Sequence, residues 1–119
     1  MATFNNKSEG STRLIYEWIL TASESGEAVK VSEYADKSYG MWGTFGGTVT
    51  IQGSWDPCPS KDNIDAGSWM TLRESDNITE IANTAAACGV ILENPLWIRV
   101  VAGSGITSVK TVIVATPRR

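Results

Sequence analysis

Side chains that could carry out acid–base or nucleophilic catalysis are sparse in this sequence. Its 119 residues include no histidine, which excludes a serine–histidine or cysteine–histidine nucleophile and an imidazole metal ligand. Three carboxylates, Glu74, Asp76 and Glu80, lie close together in a stretch whose residues favour a turn. Glycoside hydrolysis needs two acids facing one groove, one of them with a raised pKa, and nothing in this stretch would raise a pKa. We therefore expect no catalytic residues and a protein that is not an enzyme.

Residues 56–67 (DPCPSKDNIDAG) contain the oxygen ligands that calcium prefers, three aspartates and Asn63. Their spacing does not fit an EF-hand, because neither the alternating Asp and Asn positions nor the distal bidentate Glu is in register. Pro57 and Pro59 fix the backbone φ angle and stiffen the segment without a ligand. We predict a solvated loop, with no metal and no cofactor.

Cys58 and Cys88 are too few and too far apart for a metal cluster or a redox C-x-x-C motif. Residues 1–11 (MATFNNKSEGS) have no hydrophobic signal core, and apolar runs such as 112–115 are far too short to cross a membrane. Folding in a cytoplasm is therefore expected, with both thiols reduced and Cys88 filling a small space in the core. Secretion would instead allow the two cysteines to form a bridge.

The overall charge gives no field that would gather nucleic acid. Ten basic and 13 acidic side chains leave a formal net charge of -3, and the sequence offers only Arg118-Arg119 as a basic cluster. We expect neither a nucleic-acid nor a membrane partner.

Apolar and polar residues alternate with a period of two along most of the chain, which is typical of strands with one buried face. The segment TVTIQGSW shows this most clearly, with Val49, Ile51 and Trp55 on its apolar face. The segment SYGMWGTF precedes it, and the linking Gly46-Gly47 favours the positive-φ turn of a tight hairpin. We predict that these two segments pair antiparallel.

Other segments follow the same period. Further strands are predicted at residues 12–20, 27–34, 68–73, 96–102 and 108–115, separated by Gly, Pro and Asn turn signals. In the first of them, Leu14, Tyr16, Trp18 and Leu20 share one face.

One segment has mixed preferences. The Ala-rich residues 83–92 favour helix, but Gly89 and the Val-Ile pair oppose it, so a single helical turn or an irregular crossing is expected there. Six to eight short strands with at most one short helical turn indicate an all-β fold, an antiparallel β-sandwich of the jelly-roll type. We predict one sandwich domain over residues 12–115, a flexible N-terminal arm over 1–11 and a C-terminal tail over 116–119.

Five tryptophans are an unusual number for 119 residues. All lie in or at the ends of predicted strands, so most are expected in the core or in subunit contacts. Trp42 and Trp97 each lie on the face opposite the more apolar set of their strand. There they would form either an exposed platform for a sugar ring or part of a subunit interface. Arg99 shares the Trp97 face and could stack there or pair with an acid.

Several motifs resemble those of small structural proteins of tailed bacteriophages. YADKSYGMWGTFGGTVTIQGSWD (residues 34–56) contains a GTFGG-type hairpin and a GS-x-D turn. A W-x-x-L strand follows at 69–72, and then LENPLWIR (92–99) and a closing Val-rich strand. The resemblance covers residues 27–115 and is to virion decoration, or cement, proteins. It departs at residues 57–66, which form a longer loop than the pattern has.

This resemblance implies a non-enzymatic protein, usually a homotrimer, that decorates the outer surface of a phage capsid. It would stabilise the shell by bridging capsomers of the major capsid protein. Its location would be the virion, and the host cytoplasm during assembly. The residues expected to contact partners are Phe4, Trp42, Trp97, Arg99, Arg118 and Arg119.

Two other functions stay open. The GS-x-D, W-x-x-L and P-x-x-I-R signals are also similar to those of discoidin-like, galactose-binding jelly rolls, which would make the protein a carbohydrate-binding module on the virion surface. A tail or neck structural protein would carry the same sandwich motifs.

Overall fold

The computed structural model describes residues 3–9, 13–31, 34–74, 76 and 78–117. These residues form ten strands, and the only helical segments among them are two 3-10 turns, Lys61–Asn63 and Ala66–Ser68. The predicted all-β antiparallel sandwich is confirmed. The strands are β1 (Thr3–Glu9), β2 (Arg13–Leu20), β3 (Val29–Lys30), β4 (Tyr34–Thr44), β5 (Val49–Ser54), β6 (Met70–Thr71), β7 (Ala82–Asn83), β8 (Ala87–Ile91), β9 (Trp97–Ala102) and β10 (Ser108–Pro117).

The strands are divided between two antiparallel sheets. Sheet I has the order β1-β2-β10-β4-β8, and sheet II has the order β3-β9-β5-β6, with β7 also paired to β5. Strands that are neighbours in sequence, such as β4 and β5 or β9 and β10, lie in different sheets. The chain therefore crosses repeatedly from one layer to the other, as a jelly roll does.

One apolar core lies between the sheets. Sheet I contributes Tyr16, Trp18, Leu20, Tyr39, Met41, Val109 and Ile113, and sheet II contributes Val49, Ile51, Ile98, Val100 and Ala102. Trp18 is completely buried, and its Nε1 donates a hydrogen bond to the Glu27 carbonyl oxygen at 2.9 Å. The predicted face of β2 is thus confirmed at Tyr16, Trp18 and Leu20.

The predicted hairpin at Gly46-Gly47 is wrong. β4 pairs with β10 and β8, whereas β5 pairs with β9, β6 and β7, so the two glycines link the sheets instead of turning within one. Neither glycine has a positive φ. Their role is close approach, because a Cβ atom at Gly105 would collide with the Gly46 carbonyl oxygen where the β4–β5 and β9–β10 links meet.

The Ala-rich segment forms strands β7 and β8, and no helical turn occurs within residues 83–92, all of which are described. β8 pairs with the edge of β4, so tertiary pairing overrides the helix preference of alanine. Ile91 faces the core, while Cys88 and Val90 face outward and are exposed. The prediction that Cys88 fills the core is therefore wrong.

The chain ends differ from the predicted arm and tail. Thr3–Glu9 form β1, which pairs with β2 at the edge of sheet I, and β10 continues as far as Pro117. The segment Thr3–Glu9 (TFNNKSE) has Phe4 as its only apolar residue, so it lacks the period-two alternation that predicts the other strands.

The predicted position of Trp55 on the apolar face of β5 is also wrong. The strand ends at Ser54, and the Trp55 side chain is 45% exposed. Gly53 takes the core-facing position instead, where Leu72 and Pro95 pack so closely that a Cβ atom would lie 2.7 Å from each. No helix in the described part of the chain is long and apolar enough to span a membrane.

Candidate functional site

Among the described residues, the interior of the sandwich is packed mostly with apolar side chains. Met41, Ile51 and Ile113 are at most 1% exposed. Lys37 is equally buried, and its Nζ donates to Asn94 Oδ1 at 2.6 Å. Across the described ranges, no group of three or more His, Cys, Asp or Glu side chains could hold a metal ion.

The acidic loop uses its carboxylates to hold its own shape. Asp56 Oδ2 accepts from the Asp65 amide at 2.8 Å, and Asp65 Oδ1 accepts from the Gly67 amide at 2.9 Å. Lys61 Nζ lies 3.1 Å from Glu27 Oε1 and 3.5 Å from Asp62 Oδ1, and both carboxylates raise the pKa of the lysine. Residues 55–69, called the 55–69 loop below, are thereby tied to the segment before β3.

Of the three acids near residue 76, Asp76 likewise serves the backbone of its turn. Asp76 Oδ2 accepts from Thr79 Oγ1 at 2.6 Å, and Oδ1 accepts from the amides of Ile78 and Thr79. These hydrogen bonds, led by that of the Thr79 hydroxyl, lower the pKa of Asp76. Glu80 pairs through its backbone with Arg73. Asp76 therefore stays ionised in a turn and has the opposite of the raised pKa that a general acid needs.

The outer face of sheet I is the first candidate binding surface. Alternation and register place on it Ile15 and Ile19 of β2, Val112 and Val114 of β10, Gly40 and Trp42 of β4, and Cys88 and Val90 of β8. Trp42 and Val90 are 49% and 51% exposed. Large apolar side chains on the solvent face of a sheet mark an interaction surface when they are contiguous across strands.

Two charges divide this apolar face. Lys110 lies directly opposite Trp42 in the β10–β4 register, with its Nζ 5.9 Å from the centre of the indole ring. The same Nζ is 3.8 Å from Glu17 Oε2 on β2. The face therefore combines an exposed aromatic ring, aliphatic side chains and a weak ion pair.

Trp97 does not join Trp42 as an exposed ring. It does lie on the outer face of β9, as the sequence indicated, because Ile98 and Val100 point into the core. However, the 55–69 loop passes beside this face, and Trp97 lines a depression together with Pro59 and Ser60. Only 6% of Trp97 is exposed, so its ring is not accessible to a sugar or to a partner. The expectation that Trp97 forms a stacking platform or a partner contact is therefore wrong.

Arg99 stacks on a different tryptophan from the one expected. Its guanidinium carbon lies 4.3 Å above the Trp69 ring, and its Nε donates to Gln52 Oε1 at 3.0 Å. Partial burial lowers the pKa of Arg99. The stacking arises because Gln52 pairs with Arg99 on β9 and with Thr71 on β6, which brings Trp69, next to β6, beside the Arg99 face.

A groove of about 290 Å³ opens beside Arg99, and this Arg99 groove is the second candidate surface. Its lining comprises Gly26, Glu27, Ala28, Lys61, Asp62, Ile64, Ala66, Trp69 and Arg99. Neither Trp69 nor Lys61 was singled out from the sequence. The sequence contains little to mark either residue, because the pattern of residues 57–66 predicts a loop extending into solvent. In the structure, this loop lies along sheet II.

The remaining predicted contact residues lie at the chain ends. Phe4 is in β1, opposite Trp18 of β2, and its side chain lies outside the described part of the chain. Arg118 and Arg119 also lie outside the described residues. The structure therefore assembles a surface around Trp42 and another around Arg99.

Similar folds occur among cupin domains. A cupin superfamily protein from Desulfitobacterium hafniense DCB-2 is 12% identical over 99% of this chain and 79% of its own, with a TM-score of 0.53. A cupin domain from Bordetella pertussis Tohama I is 9% identical over 98% of this chain and 94% of its own, with a TM-score of 0.55. The cupin domain of Schizosaccharomyces pombe Cnp3 is 7% identical over 98% of this chain and 61% of its own, with a TM-score of 0.51.

No protein-family model and no curated protein matches the sequence. At identities this low, the structural likeness establishes the fold and nothing about activity. The chain is an antiparallel β-sandwich similar to cupin domains.

Proposed function

We propose that this protein is a non-enzymatic virion structural protein that binds the outer surface of a bacteriophage capsid through the outer face of sheet I. The observation that carries the proposal is the outer face of sheet I, where the half-exposed Trp42 and the aliphatic side chains of β2, β10 and β8 lie beside the Lys110–Glu17 ion pair. The choice of partner rests on the resemblance of residues 27–115 to capsid decoration proteins.

The size of the face indicates how attachment would work. Strands β2, β10, β4 and β8 span about 19 Å across the sheet, and five residues along each strand span about 17 Å, which gives roughly 300 Å². A stable interface buries about 800 Å² on each partner. One contact of this kind is therefore weak, and attachment would depend on several contacts made together by an oligomer such as a trimer.

Capsid stabilisation then follows from mass action. A protein that binds the assembled shell but not the free capsomers stabilises the shell by its binding free energy. The contribution is repeated over every copy, so a modest free energy for each subunit is sufficient. Bridging adjacent capsomers requires that the subunits of one oligomer reach different capsomers.

The decisive experiment locates the protein in its particle. Virions are purified from the native source, the copy number is measured by quantitative mass spectrometry, and the radial position is determined by cryo-electron microscopy. We expect many copies on the outside of the head, at symmetry-related positions. A few copies at a single vertex would support a tail or neck protein and would contradict the proposal.

A pair of tryptophan variants tests the binding face. Trp42→Ala removes the exposed ring from sheet I, and Trp55→Ala removes a ring of similar exposure, 45% against 49%, that lies beyond the end of β5 in sheet II. We measure how much of each variant binds to capsids from which the native protein has been removed. We expect Trp42→Ala to lower this occupancy at least tenfold, which corresponds to about 1.4 kcal/mol for each contact. Trp55→Ala should leave occupancy unchanged.

The alternative of a carbohydrate-binding module makes a different prediction for Trp42. A glycan stacked on this ring would quench or shift tryptophan fluorescence in the isolated protein, and the change would be lost in Trp42→Ala. A saturable fluorescence change with galactosides, together with unaltered capsid occupancy, would favour that module over the proposal.

A further inference from the structure

Arg99 is held in a fixed position on the outer face of sheet II. One face of its guanidinium plane covers the Trp69 ring, at 4.3 Å from the ring centre, and the Nε hydrogen bonds to Gln52. A long side chain fixed in this way loses less conformational entropy when it binds a ligand. The arrangement therefore prepares the guanidinium for a partner.

The two Nη atoms of Arg99 have no such partner. Among the described residues, the Arg99 side chain makes only the contacts with Gln52 and Trp69, and no carboxylate forms an ion pair with it. The buried side-chain atoms that lack a hydrogen bond among the described residues do not include Nη1 or Nη2 of Arg99. Both Nη atoms therefore reach solvent. Arg99 is thus a partly buried cation whose Nη donors can still bind an acceptor presented by a partner.

The nearby acids are already engaged. Glu27 and Asp62 line the same groove but lie 3.1 Å and 3.5 Å from Lys61 Nζ. Lys61 is thus ion-paired in the groove, whereas Arg99 forms no ion pair with a described carboxylate, and the two acids and two bases of the lining sum to zero charge. An anion entering it would meet the planar guanidinium fork, whose geometry matches a carboxylate.

We propose that the Arg99 groove binds the carboxylate of an acidic side chain presented by a protein partner. The groove is open and holds about 290 Å³, at the lower limit of the sizes that enclose free small molecules. A side chain that belongs to a larger partner needs no such enclosure, since contacts outside the groove supply the rest of the binding free energy. The inference does not depend on the partner being a capsid, because it concerns the opposite sheet from the Trp42 face.

The experiment uses nuclear magnetic resonance on the full chain labelled with nitrogen-15. The probe is N-acetylglutamate N-methylamide, and its neutral match is the glutamine analogue. We expect the Arg99 Nε–H and Trp69 Nε1–H signals to move progressively with the glutamate compound up to hundreds of millimolar, and not with the glutamine compound, because a lone side chain lacks the further contacts that a partner makes. Sodium chloride at equal ionic strength should produce no such movement.

Variants separate the groove from general surface charge. Arg99→Gln should abolish the response, and Arg99→Lys should weaken it at least tenfold because an ammonium group lacks the planar fork. Lys110→Gln removes a cation from the other sheet and should keep the full response. Unchanged spectra at residues remote from the groove will show that each variant folds.

Three results would overturn the proposal. These are the lack of any shift at hundreds of millimolar probe, an equal response to the glutamine analogue or to chloride, and a full response in Arg99→Gln. A stronger response to glucuronate than to the glutamate compound would assign the groove to an acidic sugar instead of a protein partner. Capsid occupancy has no part in these measurements, so this proposal and the capsid proposal can fail separately.

Discussion

Gly43 lies near the end of β4, directly opposite Val109 of β10. Its φ angle is 139°, a value that side chains other than hydrogen rarely allow. A Cβ atom at this position would also collide with the Ser108 carbonyl oxygen and lie 3.0 Å from Val109 Cα. The backbone conformation costs a non-glycine residue about 1–3 kcal/mol, and overpacking against backbone costs about the same again. Allowing for relaxation, we expect Gly43→Ala to lower the free energy of unfolding by about 2–4 kcal/mol.

Gly40, three residues earlier in β4, provides the matched control. A Cβ atom there would lie 3.8 Å from Trp42 Cζ3, an ordinary van der Waals contact, and its φ is not positive. Alanine in a strand is favoured over glycine by about 0.5–1 kcal/mol, so Gly40→Ala should be neutral or slightly stabilising.

The assay is thermal unfolding followed by circular dichroism. At about 4 °C for each kcal/mol, Gly43→Ala should lower Tm by about 8–16 °C, while Gly40→Ala should leave it unchanged or raise it by up to about 4 °C. Equal effects of the two substitutions, or a Gly43→Ala decrease under about 3 °C, would show that this end of β4 does not pair with β10 as described.

Two further predictions concern the core and one turn. Trp18→Phe leaves the Glu27 carbonyl without its indole donor and opens a small cavity. We expect a loss of about 2–4 kcal/mol in urea unfolding, against at most about 0.5 kcal/mol for the exposed Trp55→Phe, and similar losses would contradict the packing. The lowered pKa of Asp76 stabilises the fold above the unfolded value near 4, and this contribution disappears as the pH falls through the folded pKa. The wild type should therefore have a higher Tm than Asp76→Asn at pH 7, and this Tm difference should shrink in acid. A Tm difference that stays constant across the pH titration would exclude the role assigned to the Thr79 hydrogen bonds.

The sequence by itself was sufficient for the fold class and for most strand positions. Period-two alternation is a local property, since it requires only that one face of a strand be buried. It placed the core face of β2 at Tyr16, Trp18 and Leu20 and located β9 and β10 closely. It missed β1, whose only apolar residue is Phe4, and β8, where alanine favours helix until β4 supplies a partner.

The sequence also contained a partial signal for the outer face of sheet I. Along β10, Val112 and Val114 alternate with the buried Thr111 and Ile113, so the strand is largely apolar on both faces. A strand of that kind is expected where both faces are covered. The pattern could have indicated a second contact surface on this strand, although not which residues of β2 and β4 complete it.

Sheet membership and side-chain exposure were decided by tertiary structure alone. Gly46-Gly47 fits a hairpin or a crossover equally well, and only the approach of Gly105 from a distant link distinguishes them. Trp42 and Trp97 have the same local pattern, yet one is 49% and the other 6% exposed. The physical reason is that exposure depends on what packs near a face: Trp97 lies beside Pro59 and Ser60 of the 55–69 loop, which is remote in sequence from β9, whereas Trp42 lies on a face that stays half exposed.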